Sequence, residues 1–241
     1  AWRVHLPRPR QRRLEDFRIA VLADTDHAPV DAAVRDQLQR LVEDLRRAGV
    51  GVDERARPKF DTREADRLFH RLLDAALSAR IPEEDFRAAQ RQAAALPADD
   101  GDPAIWTLRD VTLTHREWLI ANERRQQMRV LWEEFFQDYD LMLTPPAATV
   151  APTHRHDGEP FERPLTVNGA DMPLRRQFFW CGYPALAHLP ATVAPIGASP
   201  DGLPVGVQII GPEYGDLTCI QFARLLARRT GGFQPPPGCV D

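Results

Sequence analysis

The stretch that decides the fold class is residues 17–22, FRIAVL. This short apolar run is rich in strand-forming residues and predicts a buried strand. The following segment predicts a helix, because its apolar residues recur every three or four positions: Val34, Leu38, Leu41, Val42 and Leu45. Val50 and Val52 then alternate in a second strand. A strand, helix and strand at this spacing predict a parallel pair with a right-handed crossover, and therefore an α/β fold.

Helical periodicity continues through the middle of the chain. It predicts helices over about residues 63–80, 83–96 and 114–137. A short strand, Leu141–Thr144, ends at two prolines, which have no amide to donate to a sheet. From there to Pro173 we expect loops, with Asn168 and Gly169 as a hairpin turn.

Two apolar strands are expected near the end of the chain, at Ala191–Pro195 and Val205–Ile210. Between them, Ser199–Gly202 has proline second and glycine fourth, which suits a type I turn. A final helix is expected over about residues 216–229. Both strands are apolar on both faces, so helices must cover both sides of a mixed sheet. We expect residues 1–241 to form a single unit.

Composition excludes several classes of protein. The chain of 241 residues is 43% hydrophobic and 27% charged, which is typical of a globular domain. Its net charge of -4 offers no general attraction to nucleic acids or anionic membranes, so neither is an expected partner. No apolar run is long enough to cross a bilayer, and the amino-terminal residues lack a signal core. The expected location is therefore the cytoplasm.

Few residues are available for catalysis or cross-linking. The only lysine is Lys59 and the only serines are Ser78 and Ser199. The chain starts at Ala1 without a methionine, and this start predicts a fragment of a longer product. The three cysteines have no paired spacing, so reduced thiols are favoured over disulfides or a zinc site: Cys181, Cys219 and Cys239.

Local catalytic signatures are absent from the sequence. There is no GxSxG elbow, phosphate-binding glycine loop or HExxH motif. Asp24 and Asp26 follow the first strand where a dinucleotide would need bare amides, and as a pair they favour capping of the next helix. His154, His156 and Asp157 resemble a metal cluster, but their loop setting favours no metal site.

Aromatic side chains are concentrated at two places. The long helix carries a stripe with two arginines: Trp118, Asn122, Arg125, Arg129, Trp132 and Phe136. Arginine is rarely buried without a partner, so these two either extend to solvent or bind an anion. A second cluster comprises Phe178, Phe179, Trp180 and Tyr183, for which core packing and a ligand pocket are both open interpretations.

Several motifs, taken in order, resemble one family. They are Phe17–Leu22, Pro29–Asp31, Phe135–Pro145, Leu189–Gly197 and Gly202–Gly211. Together they resemble the second half of amidase-signature enzymes, over nearly the whole chain. The resemblance implies the carboxy-terminal part of that fold, a mixed sheet with helices on both faces. It implies hydrolysis of a carboxamide C–N bond without a metal or an organic cofactor.

The same resemblance implies that the catalytic groups lie elsewhere. The family uses a serine assisted by a second serine and a lysine, in a glycine- and serine-rich core upstream of this segment. Lys59, Ser78 and Ser199 match none of those positions, so no catalytic residue is assigned. We therefore expect the chain to be inactive alone and to need the missing amino-terminal half as a partner; a homodimer is left open.

The resemblance also implies candidate substrate-binding residues. Arg125, by its distance from Tyr139 and Asp140, resembles an arginine that meets the substrate carboxylate in the glutamyl-tRNA amidotransferase branch. That branch has an acidic residue near the position of Phe178, which is aromatic here. We therefore expect an apolar or aryl amide substrate. Its pocket walls would be Phe178, Phe179 and Trp180.

Two other functions remain open at this point. One is an independently folded α/β domain that binds or regulates through its aromatic cluster. The other is a structural partner subunit whose apolar strands complete another chain.

Overall fold

A computed structural model describes residues 3–96, 103–156, 158 and 163–235. Within these residues, none of the helices combines the length and apolar character needed to cross a membrane. The described parts of residues 1–59 and 132–241 form one compact unit, here called the sheet unit. Residues 60–131 form a second compact unit, here called the helical unit.

The described residues contain seven strands. In chain order they are β1 (Arg18–Val21), β2 (Gly51–Asp53), β3 (Leu141–Thr144), β4 (Pro164–Val167), β5 (Ala170–Pro173), β6 (Ala191–Ala198) and β7 (Pro204–Ile210). Five of them form a sheet in the order β2-β1-β3-β7-β6. Strand β1 is parallel to β2 and β3, whereas β7 is antiparallel to β3 and β6. The expected mixed sheet and the parallel first pair are confirmed.

Seven α-helices accompany the strands in the described part of the chain. They are α1 (Ala32–Arg47), α2 (Thr62–Leu77), α3 (Glu83–Ala95), α4 (Pro103–Val111), α5 (His115–Asp138), α6 (Phe178–Leu186) and α7 (Asp216–Thr230). Helices α1 and α7 pack on the sheet, and Arg229 joins them through two 2.8 Å hydrogen bonds to Asp44. The buried residues of α1 are the five that the sequence pattern selected. The expected α/β class with flanking helices is confirmed.

The centre of the sheet is covered on both faces. All four residues of β3 are buried, and so are residues 207–210 of β7. Because successive side chains of a strand point to opposite faces, this burial requires cover on both sides. Strand β6 differs: it lies at an edge of the sheet, and Val193 is 58% exposed. Strands β6 and β7 are therefore not equally buried, although both were expected to be apolar on both faces.

Three features of the fold were not predicted. Strands β4 and β5 flank the expected hairpin turn but lie where we expected loops, α4 lies where we expected no element, and α6 lies where we expected only an aromatic cluster. Helix α6 contains Pro184, and proline is a poor helix former in a helix interior. The helix is mostly buried and has no charged residue, and its nine residues leave little periodicity to detect.

The β4–β5 turn is tied to the start of α1. Asn168 and Gly169 have φ values of 50° and 79°, the left-handed geometry of the expected hairpin turn. The Asn168 carboxamide oxygen accepts a 2.8 Å hydrogen bond from the amide of Ala32. Asp31 caps the helix through the amide of Ala33 and also accepts the Asn168 amide at 3.0 Å. One carboxylate thus satisfies a helix terminus and holds a hairpin.

Charged pairs link the helices of the helical unit. Arg124 on α5 donates from Nε and Nη2 to both carboxylate oxygens of Glu64 on α2. Arg67 on α2 makes a two-pronged contact with Asp110 on α4, with Nη2 to Oδ1 at 2.9 Å. Paired geometry of this kind gives arginine–carboxylate contacts their directional specificity.

The cysteines in the described residues are not cross-linked. Cys181 and Cys219 carry free thiols, and Cys239 lies outside the described residues. Burial raises the pKa of Cys219 to about 12, so its thiol is protonated at neutral pH.

We predict that Asp31→Ala lowers the stability of the sheet unit by about 1–2 kcal/mol, because it removes a helix cap and a hairpin anchor together. Asp36→Ala is the matched control, since Asp36 is an exposed residue on the same helix. Urea unfolding followed by circular dichroism measures both. Equal midpoints for the two variants would contradict the double role of Asp31.

Candidate functional site

The carboxyl ends of β1 and β3 are where the geometry favours a ligand. The chain leaves β1 toward β2 on one side, and leaves β3 toward β7 and β6 on the other. Open α/β sheets bind ligands in the crevice at such a reversal, outside the carboxyl ends of the strands. Both strands belong to the sheet unit.

Arg57 lies at the end of β1. Its Nη1 donates to the carbonyl oxygen of Val21 at 2.8 Å and to that of Ala56 at 2.6 Å. Burial lowers the pKa of Arg57, and the nearby Tyr183 and Asp53 act in the opposite direction. Sequence reasoning missed this residue, because a lone arginine in a polar loop carries no spacing signal.

Gln208 links three elements of the sheet unit. Its side chain is buried on β7, and its Nε2 donates to the Thr144 hydroxyl oxygen at 2.9 Å and to the Trp180 carbonyl oxygen at 2.8 Å. Thr144 ends β3 and Trp180 belongs to α6, so one amide fixes α6 to the sheet. The available signal was a single polar residue inside the apolar run of residues 205–210, and sequence reasoning did not use it.

The aromatic residues expected to form pocket walls lie together on α6. Phe179 and Trp180 have ring centroids 5.0 Å apart, and Phe179 contacts the His27 ring edge-on at 4.8 Å. Tyr183 lies 5.0 Å from the Trp132 ring, toward the end of α5. The cluster is therefore continuous from the loop after β1 to the last turns of α5.

Burial divides the three expected wall residues. Phe179 is 1% exposed and Trp180 is 0% exposed, so both are core residues of the sheet unit. Phe178, at the start of the helix, is only partly buried. Among the described residues, the indole Nε1 of Trp180 has no hydrogen-bond partner although it is buried. A buried donor of this kind costs free energy unless an acceptor reaches it.

Tyr183 adds a second donor to this region. Burial raises the pKa of Tyr183 well above its usual range, so the hydroxyl keeps its proton at any physiological pH. The guanidinium of Arg57 and the indole N–H of Trp180 are two donors in this carboxyl-end region. Such a set recognises acceptors, for example a carbonyl or carboxylate oxygen.

Arg125 lies in the helical unit. Its Nη2 donates to the Asn122 side-chain oxygen one turn earlier on α5. Burial, followed by the positive charge of Arg129, lowers the pKa of Arg125. The arginine is thus partly buried, whereas Phe178, Phe179 and Trp180 lie in the other unit.

Each serine contacts a residue three or four positions away in sequence, and the lysine contacts a glutamate. The Ser78 hydroxyl donates to the Ala75 carbonyl at 2.7 Å, and the Ser199 hydroxyl accepts the Leu203 amide at 3.2 Å inside the β6–β7 turn. Lys59 is exposed and its Nζ lies 3.4 Å from a carboxylate oxygen of Glu134. None of these contacts has the serine-to-base form of an activated nucleophile.

The remaining candidates from the sequence are the acidic pair after β1 and the histidines of the loop after β3. Asp24 accepts hydrogen bonds from the amides of Thr25 and Val30 within its own loop. The residue that caps α1 is Asp31, so the prediction that Asp24 and Asp26 cap this helix was wrong. His154 and His156 are exposed, and Asp157 lies outside the described residues. Within the described ranges no group of three potential metal ligands occurs.

A sequence profile described as "Amidase" matches residues 3–220. The chain belongs to the amidase family. Among solved structures, a bacterial aryl acylamidase of the amidase-signature family superposes with a TM-score of 0.64 at 19% identity, over 88% of this chain and 43% of that one. A glutamyl-tRNA(Gln) amidotransferase chain from Thermotoga maritima gives 0.63 at 20% identity, over 89% and 42%. These likenesses show a shared fold.

Sequence relatives within the amidase family are longer than this chain. Indoleacetamide hydrolase of Bradyrhizobium diazoefficiens is 25% identical over 95% of the chain and 41% of the relative. A glutamyl-tRNA(Gln) amidotransferase chain of Wolinella succinogenes is 33% identical over 47% of the chain and 23% of the relative. The chain therefore spans less than half the length of these relatives.

We predict that Gln208→Met lowers stability by about 1–3 kcal/mol, because it leaves the Trp180 carbonyl and the Thr144 hydroxyl buried without their donor. Gln39→Met on α1 is the control, since Gln39 is partly exposed. Thermal unfolding and near-ultraviolet circular dichroism of the aromatic cluster measure the change. A Gln208→Met protein with the midpoint and aromatic signal of the control would show that the link is dispensable.

Proposed function

We propose that this chain is the carboxy-terminal half of an amidase-signature hydrolase that cleaves a carboxamide C–N bond. In the complete enzyme it supplies strands of the sheet and part of the substrate pocket. The observation that carries the proposal is the family match over residues 3–220 combined with coverage of 41% of a longer relative. A chain of this size has the amidase fold in part only.

The contacts of the potential nucleophiles support this division. The serines contact backbone groups and the lysine contacts a glutamate. Neither serine lies beside a lysine or histidine in those contacts. Acyl transfer requires an activated nucleophile and a base within hydrogen-bond reach. The nucleophile is therefore assigned to the other half of the enzyme.

The unpaired edge of the sheet is a second argument for a partner segment. Strand β6 pairs with β7 on one side only among the described residues, and Val193 is exposed on it. An open edge with an apolar residue is a template for a further strand. We assign this place to the missing half; placement of the chain at the amino-terminal end of an amidase is the competing arrangement.

The substrate we propose is an apolar or aryl amide. The partly exposed Phe178 suits a flat apolar group, and the guanidinium of Arg57 is a donor for a carbonyl oxygen. Two similar proteins have names that specify aromatic amides, an indoleacetamide hydrolase and an aryl acylamidase. Arg125 is assigned to the substrate channel as a positioning cation.

We predict that the chain alone does not hydrolyse 4-nitroacetanilide, indole-3-acetamide or acetamide, and that co-expression with the half encoded upstream of Ala1 restores turnover. Hydrolysis by the chain alone that is abolished by Ser78→Ala or Ser199→Ala would contradict the division. Absence of a glycine- and serine-rich segment upstream, with one downstream instead, would establish the amino-terminal placement. A stable monomer indifferent to any added half would favour the binding-domain interpretation.

The open edge gives this experiment a matched pair of variants. Val193→Lys places a charge on β6 and should weaken association with the other half, whereas Val130→Lys on α5 should not. The two valines are 58% and 55% exposed, so they are comparable as surface sites. Pull-down of the tagged upstream half measures both. A homodimer of this chain that Val193→Lys dissociates would instead assign the edge to a second copy.

We predict that Arg125→Gln in the complete enzyme raises KM for aryl amides by about tenfold or more, because a positioning cation is lost. Arg116→Gln is the control, since Arg116 is exposed on the same helix. Steady-state kinetics on a substrate series measures both constants. If KM and kcat both remained unchanged in Arg125→Gln, its assignment to the substrate channel would be withdrawn.

A further inference from the structure

The guanidinium of Arg57 has one side engaged and one edge free. Its Nη1 donates to the carbonyl oxygens of Val21 and Ala56, which fixes the group beside the end of β1. Within the described residues, its Nε and Nη2 make no hydrogen bond. Both atoms keep contact with solvent, since neither is among the buried polar atoms that lack a partner. The half-buried side chain therefore presents two N–H groups to a ligand.

Two other arginines of the chain show what this edge binds. Arg229 uses its Nε and Nη2 to contact both carboxylate oxygens of Asp44, each at 2.8 Å. Arg124 contacts both oxygens of Glu64 through the same two atoms. The spacing of these N–H groups matches the two oxygens of a carboxylate, which gives a charge-assisted pair with two contacts. The free edge of Arg57 consists of the same two groups.

The carboxylates whose charges act on Arg57 are engaged by other groups. They are Asp53 and Glu54. Asp53 accepts the hydroxyl of Tyr139 at 2.7 Å and two amides of its own loop, and Glu54 pairs with Arg46 at 2.7 Å. Among the described residues, neither carboxylate forms an ion pair with Arg57. The free edge is therefore available to a carboxylate from outside the chain.

We propose that the Nε–Nη2 edge of Arg57 binds the carboxylate of the acid that the proposed hydrolysis releases. The identity of this acid rests on the proposed function. Hydrolysis adds the oxygen of water to the carbonyl carbon and breaks the C–N bond. The nitrogen takes one proton of the water, and the other proton leaves the acid as it ionises at neutral pH.

The product is a stronger ligand for this edge than the substrate. A carboxylate accepts both N–H groups with charge assistance, whereas a carboxamide accepts through a single neutral oxygen. In the complete enzyme, the acid therefore competes with the amide for Arg57. Turnover slows as the acid accumulates.

The test follows the Nε–H signal of Arg57 by proton–nitrogen NMR while indole-3-acetate or indole-3-acetamide is added to the full chain. We expect the acid to shift this signal and to bind at least about tenfold more tightly than the amide. Arg57→Lys identifies the signal by its absence. The variant keeps the charge but loses the planar edge, so its affinity for the acid should fall by about tenfold or more.

Arg224→Gln is the matched control for Arg57→Lys. Arg224 is exposed on α7 of the same unit, and its replacement should leave acid binding unchanged. The comparison of acid with amide uses the unaltered chain, so it remains decisive if Arg57→Lys does not fold. In the complete enzyme, indole-3-acetate should inhibit amide hydrolysis competitively, and Arg57→Lys should raise its inhibition constant by about tenfold or more.

The experiment separates this inference from the proposed function. Binding of the acid at Arg57 without turnover in the complete enzyme would refute the proposed function and leave the carboxylate site. Turnover without inhibition by the acid would refute the site and leave the function.

Three results on the chain contradict this role of Arg57. The first is an Arg57 signal that does not change at about 10 mM indole-3-acetate, since a charge pair with two contacts should exceed that affinity. The second is equal affinity for the acid and the amide. The third is a shift of the signal when the upstream half associates, after which the acid has no effect, because a carboxylate of that half would then occupy the edge.

Discussion

The carboxamide of Gln208 is the polar constraint on which the sheet unit depends. It lies in an apolar strand, where its donor would be costly without acceptors, and it reaches two of them on different elements. This requirement fixes the register of β7 against the end of β3 and sets α6 over the sheet. The aromatic residues of α6 then meet Trp132 and His27 in one continuous core. Trp180 and Tyr183, which belong to α6, are positioned by the same contact.

The sheet is well covered at its centre and open at one edge. Strand β3 and the last four residues of β7 are buried on both faces, whereas β6 presents one side unpaired within the described residues and an exposed valine. An edge strand can pair with a further segment, and in β6 Pro195 and the register shift between Pro195 and Gly197 interrupt the edge locally. The coverage of less than half of each amidase relative is consistent with this arrangement. The missing half that we propose as a partner would pair at this edge.

In the helical unit, paired charges link the helices. Asp110 on α4 and Glu64 on α2 each engage an arginine in two contacts, and these pairs set how α2, α4 and α5 pack. Of the two carboxylates only Asp110 is buried, and its paired contact constrains how α2 packs against α4. Arg71 lies beside this pair, with its Nε 3.9 Å from Asp110 Oδ1.

The sequence by itself determined the α/β class, the parallel first pair, the periodic helices and the buried face of α1. These features depend on the spacing of apolar residues that are close in sequence, so they can be predicted without knowing which distant residues they contact. The β4–β5 hairpin, α4 and α6 needed the tertiary structure, since short or uniformly apolar segments take their form from what they pack against. The tertiary structure was also needed to find three polar contacts: the capping role of Asp31, the link through Gln208 and the pairing of Arg67 with Asp110. Each holds a polar side chain against groups that only the folded chain brings within reach, and no spacing along the sequence encodes which group a given polar side chain will meet.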